Sequence, residues 1–167
     1  MKAFANPRAI AALLTGAALL AALPAAAQNM PMSLRPANSA NPAGADPIPG
    51  HAVYKAFHEE AGIDRIIDDF VVRLVADPRI GQRFQNANLA RLRLELKQQV
   101  CYLTGGPCTY SGKDMKTAHD GMDLRNADFN ALAEDLQLSM DKEHVGFRAQ
   151  NRLLAKLAPM QRVIVTK

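Results

Sequence analysis

One short run of the sequence places a histidine at a spacing that suits metal chemistry. The run LTGGPCTYSGKDMKTAH ends at His119, four residues after Met115. If Lys113 to His119 forms one or two helical turns, both side chains project from the same face. A neutral imidazole is the commonest metal ligand in proteins, and its second ring nitrogen can bond a backbone carbonyl one turn earlier. A lone histidine near a helix end is also typical of a solvated or capping residue, so the residue type alone leaves both interpretations open.

The other histidines, His51, His58 and His144, fall near the edge of the domain or in predicted loops. We assign no chemistry to them.

The charge of the chain gives no support to a nucleic-acid-binding protein. Residues 1–27 contain two basic residues and no acidic one, so their removal lowers the net charge from +4 to +2. No basic cluster alternates with aromatic residues, and such a surface does not fit nucleic acid.

The first 27 residues predict a secretory signal peptide. Lys2 and Arg8 precede an apolar stretch from Ala9 to Leu23, and small residues follow up to Ala27. We expect cleavage near Ala27, export to the periplasm and no membrane span in the mature chain, with an uncleaved anchor as the alternative. The charged end lacks an Arg-Arg pair, so we expect any cofactor to be loaded outside the cytoplasm.

Cys101 and Cys108 are the only cysteines of the chain. An even pair in an exported protein favours a disulfide, and the chain can reverse between them at Gly105-Gly106-Pro107. We expect such a bridge to pin the end of a helix, with a redox switch as the alternative role.

The remaining chain divides into a linker and one domain. Residues 28–50 are rich in Pro, Asn and Ala and poor in other apolar residues, which predicts a disordered linker. Residues 51–167 are long enough for a single domain with one core. No segment has the pattern of a strand, so we predict an all-α domain.

Four amphipathic stretches predict the helices that must position the histidine. They run from Ile63 to Val75 before Asp77-Pro78, from Leu89 to Leu103 after a cap at Asn88, from Phe129 to Met140 after Asn126, and from Phe147 to Ala158 with a bend at Pro159. Between Gly105 and Asp128 the chain is predicted to be mostly loop. A long loop in a helical domain is more often functional than decorative, which directs attention to His119.

These motifs together resemble the group I truncated haemoglobins. The resemblance rests on FxxRLxADPRI from Phe70 to Ile80, on Phe84, on the run GGPxxYxGxxMxxxH ending at His119, and on Asp128-Phe129. It extends from about Tyr54 to Val165. The GGPxxYxGxxMxxxH run is the specific part, because it combines a helix terminator, a Tyr-x-Gly turn and a histidine at one fixed spacing. The resemblance implies a truncated globin fold, a two-over-two helical sandwich around haem.

The resemblance implies a role for each residue near the cofactor. His119 falls on the proximal ligand of the haem iron, and Phe84 on the aromatic that wedges against the porphyrin. Met115 and Tyr110 fall on positions that line or support the proximal pocket, with ordinary core packing as the alternative. The cofactor implied is haem b, held non-covalently, since no C-x-x-C-H motif for c-type attachment occurs.

The distal side departs from the pattern of the resemblance. Val71 stands where many relatives place a hydrogen-bonding Tyr, and Leu96 where they often carry Gln, with Leu92 one turn before it. An apolar distal pocket would release gas ligands quickly and discriminate weakly among them. Gln99 could supply the missing donor or be an ordinary amide at the core rim. Lys97 is expected to point away, so an exogenous sixth ligand is favoured over a protein one.

The resemblance implies a protein that reversibly binds oxygen, nitric oxide or carbon monoxide. A nitric oxide dioxygenase is the enzymatic alternative, and it would need an external reductase because the chain has no flavin or nicotinamide fingerprint. A helical interaction module without haem is a further alternative. We expect a monomer or a weak dimer.

The resemblance also places a double glycine between the first two helices, where this chain has His58-Glu59. Only Gly62 remains to relax that turn. We therefore expect the geometry of the first helix to differ and the haem site to be unaffected.

Overall fold

The computed structural model describes residues 41–167; the predicted signal peptide and residues 28–40 of the predicted linker lie outside the described residues. Over 41–167 the regular structure is entirely helical. The helices are α1 (Ala52–Ala56), α2 (Glu59–Ala76), α3 (Leu89–Leu103), α4 (Met115–Ala118), α5 (Asn126–Lys142), α6 (Phe147–Leu157) and α7 (Gln161–Ile164), with 3₁₀ turns at Gly81–Phe84 and Ala158–Met160. The all-α prediction is confirmed.

The helix ends follow the stop and start signals in the sequence. Helix α2 ends where Asp77 turns extended ahead of Pro78, because a proline disfavours helical backbone in the residue before it. Helix α3 begins after Asn88, whose side chain accepts a hydrogen bond from the Arg91 backbone nitrogen at 3.0 Å. Helix α6 gives way at Leu157 to a 3₁₀ turn containing Pro159, which is the predicted bend.

The long helices pack as two pairs. Helix α2 packs against α3, α5 packs against α6, and the two pairs meet through α2 with α5 and α3 with α6. The core between them is apolar and almost fully buried, with α2 alone contributing Ile63, Ile66, Ile67, Phe70, Val71 and Leu74. Burial of this stripe is the main favourable term for a fold of this kind. The predicted two-over-two sandwich is therefore confirmed.

The turn between α1 and α2 takes an unexpected form. His58 and Glu59 both adopt left-handed backbone, with φ of 59° each. For a non-glycine residue this conformation costs roughly 1–2 kcal/mol. Gly62 does not relax the turn by a positive φ; instead, a Cβ there would overlap the carbonyl oxygen of Phe57. Gly62 therefore permits a close approach of two helices, while His58 and Glu59 make the turn.

Residues 41–50 are packed against the domain, so the prediction of a disordered linker up to residue 50 is wrong for this part. Ala43 and Ile48 are 0% and 3% exposed. The Ile48 backbone nitrogen donates to the Leu103 carbonyl at 2.8 Å, and the Asn41 amide donates to the Tyr102 hydroxyl at 3.0 Å. Two buried apolar side chains and a few hydrogen bonds fix the segment, a pattern too sparse to recognise by composition. We call residues 41–50 the strap.

Cys101 and Cys108 form a disulfide, with their Cα atoms 5.8 Å apart, as predicted. The bridge ties the last turn of α3 to the loop that leads to α4. Within residues 41–167, no helix has the length and apolarity to cross a membrane.

Candidate functional site

A cavity of about 430 Å³ lies between the helix pairs. Helices α2, α3 and α5 contribute apolar walls, and α4 with the residues around it closes the opposite side. Its volume falls in the range of sites that hold cofactor-sized ligands. The mainly apolar lining suits a flat hydrophobic ligand, and few polar groups are present to orient one.

His119 lies at the C-terminal end of α4 and forms part of the cavity wall. Its Nδ1 lies 2.7 Å from the Met115 carbonyl oxygen, which can only accept a hydrogen bond. The Nδ1 atom must therefore carry the proton and donate it, which leaves Nε2 with a free lone pair. This bond fixes the tautomer that a metal ligand requires, and it is the bond predicted from the spacing.

Helix α4 is only four residues long and depends on its cap. The Asp114 carboxylate accepts from the Thr117 backbone nitrogen at 3.0 Å. Hydrogen bonds from Thr117 hold the pKa of Asp114 below its ordinary value, so the cap stays ionised at neutral pH. Met115, in the first turn, is 8% exposed and lines the cavity.

Tyr110 also lines the cavity and braces the loop before α4. Its hydroxyl donates to the Lys113 carbonyl at 2.8 Å. Burial raises the pKa of Tyr110 to about 12, and the carboxylates of Glu95 and Asp114 act in the same direction. The phenol therefore remains a hydrogen-bond donor at neutral pH. Gly112 leaves room for this ring, because a Cβ there would overlap the hydroxyl.

The opposite wall is apolar. Leu92 and Leu96 of α3 and Phe84 of the 3₁₀ turn line the cavity. Val71 does not: it is fully buried in the helix core, and the preceding residue, Phe70, lines the cavity instead. Successive residues of a helix point about 100° apart, so an offset of one residue moves a side chain from the cavity to the core.

The polar residues of α3 have their partners elsewhere. Lys97 lies 3.5 Å from an Asp64 oxygen and 3.2 Å from an Asp68 oxygen, so it points away from the cavity as expected. The Gln99 side chain is buried, and its Nε2 donates to the Ala43 carbonyl at 2.9 Å. Gln99 is therefore neither a surface nor a core-rim amide: it lines the cavity, and its Nε2 also lies 3.3 Å from the Met115 sulfur.

Sequence reasoning missed much of the cavity wall, including the apolar residues of α5 and α6, Arg83 and Met160. Arg83 lines the cavity and donates to the Met122 carbonyl at 2.8 Å and to the Asp128 carboxylate at 2.7 Å. Met160 lines it from the C-terminal region. Neither residue belongs to a local motif, and both reach the cavity through contacts distant in sequence.

The comparisons with known proteins agree with this geometry. Residues 52–166 match the family described as "Bacterial-like globin". The group 1 truncated haemoglobin of Tetrahymena thermophila is 34% identical over 91 residues, which cover 53% of this chain and 73% of that protein. The group 1 truncated haemoglobin GlbN of Mycolicibacterium paratuberculosis is 24% identical over 115 residues, which cover 69% and 85%.

Solved structures show the same fold. The Fe(III) form of the truncated haemoglobin from Tetrahymena pyriformis matches with a TM-score of 0.66 and 25% identity, covering 69% of this chain and 98% of that chain. The 2/2 haemoglobin of Synechococcus, in the cyanomet state and with covalently attached haem, matches with a TM-score of 0.62 and 23% identity, covering 67% and 97%. The family match spans the helices, the cavity and its histidine, so the chain belongs to the bacterial-like globins, as a group I truncated haemoglobin.

Proposed function

We propose that this globin holds haem b non-covalently through His119 and binds oxygen, nitric oxide or carbon monoxide reversibly. One observation carries the proposal. On the wall of an apolar cavity, the His119 Nδ1 is bonded to the Met115 carbonyl at 2.7 Å, which leaves Nε2 free to ligate iron.

The residues around the cavity fit an iron porphyrin. Apolar side chains from α2 and α3 face the segment that carries Met115 and His119, and together they enclose a slot of suitable volume. The haem, when bound, supplies an iron atom at which a diatomic gas can bind. Non-covalent attachment is supported by the cysteines: neither lines the cavity, and both described cysteines are joined in the disulfide.

The distal residues determine how the protein treats a gas ligand. The side chains of Phe70, Leu92 and Leu96 are apolar and carry no hydrogen-bond donor. Gln99 does not compensate, since its amide donates to Ala43. A polar ligand therefore gains no hydrogen bond from these side chains, and we expect rapid release and weak discrimination among the three gases.

The test is a set of absorption spectra of the haem-loaded mature chain in ferric, dithionite-reduced and carbon-monoxide-bound states. We expect one haem per chain and a sharp band that shifts on reduction and on addition of carbon monoxide. His119→Ala should lose the haem or hold it weakly, and added imidazole should restore the spectrum. His144→Ala is the matched control, because that histidine is exposed and lies outside the cavity wall.

Unchanged haem binding and coordination in His119→Ala would contradict the ligand assignment. Absence of a stoichiometric haem band in the wild-type chain would favour a haem-free interaction module instead. Extraction of the haem into acidified organic solvent checks that it is non-covalent. Sustained nitrate production from nitric oxide with an added reductase would identify a dioxygenase rather than a reversible binder.

We also propose that the protein works in an oxidising compartment outside the cytoplasm. The Cys101–Cys108 disulfide supports this, since such bonds persist mainly in exported proteins. Expression of the full chain should yield a periplasmic product whose mass places the new N-terminus near Gln28. A cytoplasmic product that retains Met1 would overturn this part of the proposal.

A further inference from the structure

Gln99 connects the strap to the segment that carries the histidine. Its Nε2 donates to the Ala43 carbonyl oxygen at 2.9 Å and lies 3.3 Å from the Met115 sulfur. The Met115 backbone carbonyl in turn accepts the hydrogen bond from His119 Nδ1 at 2.7 Å. Met115 is therefore held by Gln99 at its side chain and holds His119 at its backbone.

The strap also packs closely against Met115 at Gly44. Gly44 has φ +86°, and a Cβ at this position would lie 2.6 Å from the Met160 terminal methyl carbon and 2.9 Å from Met115 Cγ. The hydrogen bond from Ile48 to Leu103 anchors the strap to the end of α3. The strap backbone at Gly44 therefore leaves no room for a side chain beside Met115, and close packing there opposes a shift of Met115 toward the strap.

We propose that Gln99 is a positioning residue for His119, acting through Met115 and the strap. The inference rests on the proposed function, in which His119 ligates the haem iron. The partner of the second imidazole nitrogen sets the ring orientation and the basicity of the ligating nitrogen. A group that fixes the Met115 carbonyl therefore fixes the iron–histidine bond. Gln99 acts here on the proximal side, although it lies on the helix that supplies the distal leucines.

The first test is Gln99→Leu, which keeps a similar volume and removes both amide contacts. We expect a shifted iron–histidine stretching band in the resonance Raman spectrum of the reduced protein. Haem transfer to an apoglobin acceptor should become roughly tenfold faster, as for other partners of metal ligands. The control is Gln137→Leu on α5, which makes the same replacement at a half-buried residue; unlike Gln99, Gln137 does not line the cavity.

A second pair of variants tests the strap. Gly44→Ala places a Cβ against both methionines and should shift the same band and speed haem loss. Gly50→Ala is its control, because Gly50 has a similar φ of +74° and nothing within 4 Å of the added carbon. The two alanines impose similar backbone strain, so a difference between them reports the contact with Met115 and Met160.

General destabilisation must be separated from loss of positioning. Leu153→Ala removes a fully buried side chain that does not line the cavity, so it should lower stability without moving the iron–histidine band. If Gln99→Leu fails to fold, Met115→Leu replaces it as the test. This variant keeps the apolar volume of Met115 and removes the sulfur atom that accepts from Gln99. That variant should shift the band in the same direction.

The proposal is overturned if Gln99→Leu, or Met115→Leu in its place, keeps the wild-type band and haem-loss rate. It is also overturned if Gln137→Leu or Leu153→Ala shifts the band as much. Failure of the proposed function has a different signature: His119→Ala would then keep the wild-type iron–histidine band, or the wild-type protein would have none.

Discussion

The distal wall of the cavity is built from two long helices, α2 with 18 residues and α3 with 15, whereas the proximal wall contains a helix of four residues, α4. Together with α5 and α6, the distal helices form what we call the framework. The proximal segment, residues 105–125, contains α4 between two stretches of loop. An isolated helix of four residues is unstable in water, so the two walls cannot be stabilised in the same way.

The framework is held by apolar packing and the proximal segment by individual hydrogen bonds. Tyr110 bonds Lys113, the Ser111 backbone and hydroxyl both donate to Gln98, and His119 bonds Met115. Loss of a core side chain should therefore lower global stability, while loss of a single proximal hydrogen bond should alter the histidine. Stability therefore rests mainly on the framework and ligand geometry mainly on the proximal segment, with Gln99 of α3 as the proposed link between them.

The largest expected effect on stability comes from Ile66→Ala in the framework. Ile66 is 1% exposed and does not line the cavity. Removal of its side chain should cost about 3 kcal/mol of unfolding free energy, measured by urea titration. Folded molecules should keep the wild-type iron–histidine band. A shifted band in this variant would show that the framework and the proximal segment are not independent.

Removal of the disulfide tests the connection between the two regions. Replacement of both Cys101 and Cys108 by Ala should cost roughly 2–3 kcal/mol, because the unfolded chain regains the freedom of a short closed loop. Amide hydrogen exchange should accelerate most in residues 105–125. A reducing agent should reproduce this pattern in the wild-type chain, and uniform acceleration across all helices would contradict the division into two regions.

The helices of the framework could be predicted from the sequence because the signals that start, end and orient them lie within or next to each helix. Asn88 caps α3 and Gly105-Gly106 follows its end, while Pro78 lies beyond the end of α2. The spacing of the apolar residues within each helix indicated which face is buried. His119 and its bond to Met115 were also predictable, since both partners lie within one helical turn.

Contacts between distant segments could not be predicted in this way. The strap is fixed by the buried side chains of Ala43 and Ile48 and by hydrogen bonds to distant residues, which form no recognisable apolar pattern. The partner of Gln99 is Ala43, 56 residues away. The resemblance assigned Val71 to the cavity, but the structure buries Val71 in the core and places Phe70 on the wall. Both faces of α2 are apolar there, so its sequence pattern does not show which residue faces the cavity.

The two helix caps provide a matched comparison of the regions. Asn88 and Asp114 accept a backbone hydrogen bond at the same distance, 3.0 Å, at the starts of α3 and α4. Asn88→Ala should lower global stability by about 1 kcal/mol and leave haem loss unchanged, because α3 is held by packing. Asp114→Ala should have little effect on the global transition but speed haem loss, because the cap is a large share of what holds α4.

Stopped-flow haem transfer and urea titration of both variants give the comparison. Equal haem-loss rates would show that α4 is held by something other than its cap. Asp114→Asn is a useful control, since an amide oxygen can still accept from Thr117 and should preserve haem retention.

The smallest expected effect is a gain in stability on replacement of Asp135, a buried carboxylate of α5 in the framework. Asp135 is 5% exposed, and among residues 41–167 its Oδ2 is a buried side-chain atom without a hydrogen-bond partner. Burial, reinforced by the nearby Asp77 carboxylate, raises the pKa of Asp135. A raised pKa in the folded state means that the protonated form stabilises the fold. That contribution is complete below the ordinary aspartate pKa and is lost as pH rises through the folded value.

Asp135→Asn should therefore stabilise the protein at neutral pH by up to about 1 kcal/mol, because an amide bears no charge to bury and can donate a hydrogen bond. Urea titrations from acid to neutral pH should show the gain disappearing as the pH falls through the aspartate range. A gain independent of pH would contradict the raised pKa. The iron–histidine band should stay at the wild-type position, since Asp135 has no contact in the chain from the strap to His119; a shift would instead mean that α5 also determines the geometry of the proximal ligand.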